Sequence, residues 1–145
     1  MDNEYSILKI LNDLKRHNIL STKEVKKDLQ KLIGSDINDF ARVFLRDFLR
    51  MEFDNYNKFE ILRNLNREQR KRLKGTLLRR YEYRNSSNLR ILFVVYNDNL
   101  SNIPIILCAF NEDGDKKKGN NSYNKNIDRA IKIFERVVGG KNDGN

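Results

Sequence analysis

The residues here that could act on a substrate are Arg, Lys and Tyr, and they gather in two stretches. Between Lys58 and Arg90 stand eleven Lys or Arg (58, 63, 67, 70, 71, 72, 74, 79, 80, 84 and 90). Only Glu60, Glu68 and Glu82 oppose them, so this window carries a net +8. The second stretch holds Lys116, Lys117, Lys118, Lys125, Arg129 and Lys132, with Tyr123 inside it. Cations at this density suit a polyanion, and guanidinium groups grip phosphate oxygens in pairs. Within RRYEYR, Arg80, Glu82 and Arg84 alternate with Tyr81 and Tyr83, so on a strand the three charged residues share one face. Arg90 joins that face if NSSN turns the chain back. Such a face could seat a phosphodiester, with a Tyr stacked on an unpaired base. The same pattern also suits a solvent-facing sheet side with Glu82 paired to its neighbours, and REQRKRLKG alone suits a solvated helix face.

Other chemistries lack their parts. The chain has one His, His17, and one Cys, Cys108. Neither a zinc site nor a His-based nucleophile can be assembled from these, so no metal and no cofactor is expected. Cys108 lies in IPIILCAF and reads as a small core residue; a single thiol forms no internal disulfide, which fits a reducing compartment. The net charge of +9 over 145 residues points to nucleic acid, an acidic protein or an anionic membrane. A membrane role is disfavoured, because no apolar run approaches the ~20 residues a span needs. The start, MDNEYSILK, also lacks the basic-then-apolar order of a secretory signal. A cytoplasmic location is expected.

The elements that must position these residues follow from hydrophobic period. Ile7, Leu8, Ile10, Leu11 and Leu14 recur at helical spacing within residues 4–17. Ser21 and Glu24 form a capping-box signature before a second helix bearing Val25, Leu29, Leu32 and Ile33, which Gly34 ends. Asp36 can cap a third, with Ile37, Phe40, Ala41, Phe44 and Phe48 on one face. A fourth is expected from about Lys58 to Lys74, with Asn66 a point where it can kink or be re-capped and Gly75 closing it. The period then changes. Leu78 to Arg84, Leu89 to Tyr96 and Ile103 to Phe110 read as strands of an antiparallel meander. NEDGDKKKGNNSYNKN reads as a long polar loop, and Ile127 to Val138 as the last helix. The divisions expected are a near-neutral helical extension over 1–55, an α+β core over 56–138 and a frayed tail over 139–145.

The order of motifs in the second half resembles the RelE/HigB toxins of bacterial toxin–antitoxin pairs. Glu82-Tyr83-Arg84 is similar to that family's E-L-R motif, and Arg90-Ile91-Leu92-Phe93 to its next strand. Ala109-Phe110, then Lys116 to Lys118, then Ile127-Asp128-Arg129-Ala130, match an apolar strand, a Lys-rich stretch and a helix start. The resemblance covers roughly residues 40–138; the family ordinarily begins directly with a helical hairpin. It implies an α+β fold, with N-terminal helices packed on a small twisted antiparallel sheet of three to four strands and a C-terminal helix. It also implies metal-independent mRNA cleavage, often on the ribosome, by attack of the ribose 2′-hydroxyl on the adjacent phosphate. On that basis Arg84, Arg90, Lys116, Lys118 and Tyr123 are the expected catalytic residues, with Glu112 a further base candidate. Arg79, Arg80, Lys74, Lys117 and Lys125 are the expected RNA-binding residues. The implied partners are a cognate antitoxin and mRNA or the ribosome. Two other functions suit the same charges: a non-catalytic nucleic-acid or protein-binding module of a phage or mobile element, and a gyrase inhibitor like the ParE toxins.

Overall fold

A computed structural model describes residues 5–51, 59–83, 88–112 and 116–143, with backbone alone described for 116–122 and 140–143. Among these residues, five helices and five strands follow in the order α1 (Ile7–Lys15), β1 (Leu20–Ser21), α2 (Lys23–Leu32), α3 (Ile37–Arg50), β2 (Glu60–Ile61), α4 (Arg67–Arg72), β3 (Leu78–Glu82), β4 (Leu89–Asn97), β5 (Asn102–Asn111) and α5 (Lys116–Asp143). The class is α+β. The sheet has five strands in the order β1-β5-β4-β3-β2. It is mixed: β1 runs parallel to β5 and the other pairs are antiparallel. The expected meander forms its centre, and two-residue strands extend each side beyond the three to four strands expected.

Helices cover both faces of the sheet because both faces are apolar. On one side α1, α2 and α3 bury Ile10, Leu14, Val25, Leu29, Phe40, Phe44 and Phe48 against Tyr81, Tyr83, Ile91, Phe93 and Ile106. Phe40, Phe44 and Phe48 stand one helical turn apart on α3, so all three rings reach the sheet. Phe48 lies 5.1 Å from Tyr81 and 5.3 Å from Phe93 between ring centroids. On the other side α5 brings Ile127, Ala130, Ile131 and Phe134 onto Leu78, Leu92, Val94, Leu107 and Phe110. Residues 7–51 and 59–109 therefore share the core on the α1–α3 side, and the first stretch supplies a strand to the sheet.

Three local expectations are corrected. Residues 59–74 are not one helix: Phe59 is drawn into the α3 core and Glu60–Ile61 pair with β3, and the helix starts at Asn66, the re-capping point. Helix α2 is capped by Thr22 rather than Ser21, because Ser21 lies in β1 and the Thr22 hydroxyl accepts from the Val25 N–H at 3.1 Å. The stretch expected as a polar loop before Ile127 is helical from Lys116, and α5 continues to Asp143.

Candidate functional site

Strand register decides which charges meet. Leu78 and Leu92 face α5 whereas Tyr81, Ile91 and Phe93 face α3. Alternation therefore turns Arg80, Glu82 and Arg90 toward the α5 side. Glu60 pairs across with Arg80, Glu82 with Arg90, and Arg90 with Phe110. Tyr123 arrives over this corner from α5, its ring standing edge-on to Phe110 at 5.1 Å. The alternation of RRYEYR thus brings Arg80 and Arg90 together, and Tyr123 with them.

The groups are tightly tied. Arg80 Nη1 donates to Tyr123 Oη at 2.9 Å, and its guanidinium carbon lies 5.7 Å from the Tyr123 ring centre. Arg80 Nη2 donates to Glu60 and lies 3.0 Å from Glu82 Oε2. Arg90 Nε donates to Glu112 Oε1 at 2.8 Å and lies 3.7 Å from Glu82 Oε2. Two guanidiniums thus face three carboxylates around one phenol. The Arg80 and Arg90 side chains are 20% and 14% exposed, those of Glu82 and Glu112 43% and 35%, so the acids form the outer rim. Arg80 Nε is buried with no acceptor among the described residues. An unmatched donor of this kind costs about 1–3 kcal/mol.

Burial raises the Tyr123 phenol above its ordinary value of 10.0, against the opposing pull of the Arg80 hydrogen bond. At neutral pH it is therefore an O–H, able to give a proton, and Arg80 is placed to stabilise the phenolate that remains. Cys108 is buried beneath α5 and burial pushes its thiol up to about 12, so it is inert as a nucleophile.

The other expected residues divide. Arg84 lies outside the described residues. Arg79 is half-buried and on the opposite face of β3, toward α3, so it does not join Arg80. Lys116, Lys117 and Lys118 open α5, about 10 Å of helix rise before Tyr123. Lys125 is exposed on α5, and Lys74 is exposed just past α4. Sequence reasoning gave Glu60 no role, because it placed that residue in a helix; only the β2–β3 register brings it to Arg80. Among the described residues no group of three His, Cys, Asp or Glu is placed to hold a metal ion, and no helix is long and apolar enough to cross a membrane.

Comparison with protein-family models, with curated proteins and with solved structures finds no match for this chain.

Proposed function

We propose that this chain is a metal-independent endoribonuclease acting as the toxin of a toxin–antitoxin pair, with its reaction centre at Arg80, Arg90, Glu112 and Tyr123. The observation that carries the reading is the Arg80–Tyr123 hydrogen bond beside the Arg90–Glu112 pair on one sheet face. RNA transesterification needs a base, an acid and fixed positive charge, and a carboxylate, a phenol and two guanidiniums are groups of those kinds. Glu112 takes the proton of the 2′-hydroxyl; the 2′-oxygen forms its bond to phosphorus; the bond from phosphorus to the 5′-oxygen breaks. Tyr123 gives its proton to that leaving oxygen, and Arg80 holds the phenolate. Arg80 and Arg90 offset the charge that grows on the phosphate oxygens, in place of the carboxylates that pair with them at rest. Lys116, Lys117, Lys118 and Lys125 contribute backbone contacts from α5. Arg84 is retained as a further phosphate contact. The partners are mRNA, with or without the ribosome, and an antitoxin whose acidic or amphipathic segment covers this face. The compartment is the cytoplasm.

A second reading draws on one observation: both guanidiniums are already matched by carboxylates. A charge-compensated corner suits a non-catalytic binding module whose affinity comes from basic surface elsewhere. Incubating the purified protein with RNA in excess EDTA and characterising the ends separates the two. The nuclease reading expects cleavage to 2′,3′-cyclic phosphate and 5′-hydroxyl ends. Intact RNA, or 5′-phosphate ends, contradicts it.

A further inference from the structure

Helix α4 is short but firmly held. Its Asn66 side chain accepts from Gln69 N at 2.8 Å, and the Gln69 side chain accepts from Asn66 N at 2.9 Å, a closed capping box. One side is docked on α5: Gln69 donates to Asp128 at 2.9 Å, Arg72 pairs with Glu135 at 2.7 Å, and Leu73 is buried. The other side carries Arg67, Arg70 and Lys71, spaced i, i+3 and i+4, so they form one stripe about 6 Å long. All three are exposed, and none makes an ion pair with another described residue. The contrast with Arg80 and Arg90 is direct: those guanidiniums are matched by carboxylates, whereas the α4 stripe has none paired with it among the described residues.

We infer that the α4 stripe is an anchoring surface for the phosphate backbone of a single-stranded nucleic acid. This deepens the nuclease reading, as the stripe would grip the strand beside the Arg80–Tyr123 corner. The geometry is favourable, since α4 rests on the same α5 that carries Tyr123, and Asp128 stands only about 7.5 Å of helix rise beyond it. An acidic protein is the poorer fit. Protein interfaces are anchored by a buried apolar or aromatic core, and none of the three stripe positions is apolar. Phosphate backbone needs only charge on a rigid support, which the capping box and the two α5 contacts provide.

Fluorescence anisotropy with a labelled 2′-deoxy oligonucleotide over a range of salt tests this. The probe lacks the hydroxyl that cleavage requires, so the result stands whether or not the chain cuts RNA. Each phosphate contact contributes about 0.7 to the slope of log affinity against log salt for a single strand. Replacing all three, by Arg67→Gln, Arg70→Gln and Lys71→Gln, is expected to flatten the slope by about 2. Arg67→Gln alone and the Arg70/Lys71 pair, changed separately, should remove about one third and two thirds of that, which guards against misfolding of the triple variant. Unchanged slopes in folded variants overturn the inference. So does equally tight, equally stripe-dependent binding of a polyglutamate peptide, which would make the surface a protein dock.

Discussion

The phenol of Tyr123, the acid in the proposed reaction, is under two opposing influences. Burial raises its value above that of an ordinary phenol, and the Arg80 hydrogen bond pulls it down. With its value raised above 10, a rate that depends on Tyr123 as acid holds through neutral pH and declines only above pH 10. Tyr123→Phe should lower cleavage roughly 10²–10⁴-fold, the usual contribution of a positioned acid, and remove that alkaline decline. The pH–rate profile of wild type and variant checks both. Arg80→Lys keeps the charge but not the fork that reaches Tyr123 and two glutamates, and a loss of about 10²-fold in cleavage is expected. At this scale much was legible: alternation in RRYEYR by itself puts Arg80 and Glu82 on one face. The ties to Glu60 and Glu112 were not, because they depend on strand register and on where β2 begins.

Among the elements, α2 and the residues before it close the outer edge of β5. Strand β1 covers β5 for two residues only, through Leu20 and Ser21. Side chains take over beyond it: the Thr22 hydroxyl donates to the Leu107 carbonyl at 2.6 Å, and Asp28 accepts from Ala109 N at 3.0 Å while pairing with Arg129. An open strand edge is thereby sealed. Thr22→Val removes the α2 cap, at about 1 kcal/mol, and strands a buried carbonyl at about 1–3 kcal/mol more. Thermal melting should show a drop of roughly 2–4 °C per kcal/mol in a chain of this size. Glu24, one turn before Asp28, pairs with Arg136 of α5, and that hydrogen bond holds its carboxyl at about 2 against an ordinary 4.5. A folded-state value below the unfolded one stabilises above pH 4.5, and the gain disappears as pH falls toward 2. The melting temperature of Glu24→Gln should therefore lie below that of wild type at neutral pH, with the gap closing by pH 2. Helices α1 to α3 were legible because each carries a clean apolar face. The early part of α5 was not: KKKGNNSYNKN places cations, Gly and Asn where a helix start disfavours them.

At the scale of the molecule, the sheet is a middle layer whose two faces need two sets of helices. Removing residues 1–55 would bare Tyr81, Tyr83, Ile91, Phe93 and Ile106 together. The truncated chain is expected to be insoluble or to lack a cooperative melting transition in circular dichroism. The change of period near residue 78 was enough to announce an α+β chain. The parallel β1–β5 contact joins residues 85 apart, and nothing in LS by itself marks a strand. The charge distribution agrees with the reaction proposed at one corner: the excess lies in the half that carries Arg80, Arg90 and α4, while the three-helix side is near neutral. The most direct test is single-turnover cleavage of one RNA in EDTA by wild type, Arg80→Ala, Tyr123→Phe and the double variant. If the two side chains act as one unit, each single change removes most of the activity and the double variant is scarcely worse than either alone. Singles that cut as fast as wild type, while melting at the same temperature, would contradict the account.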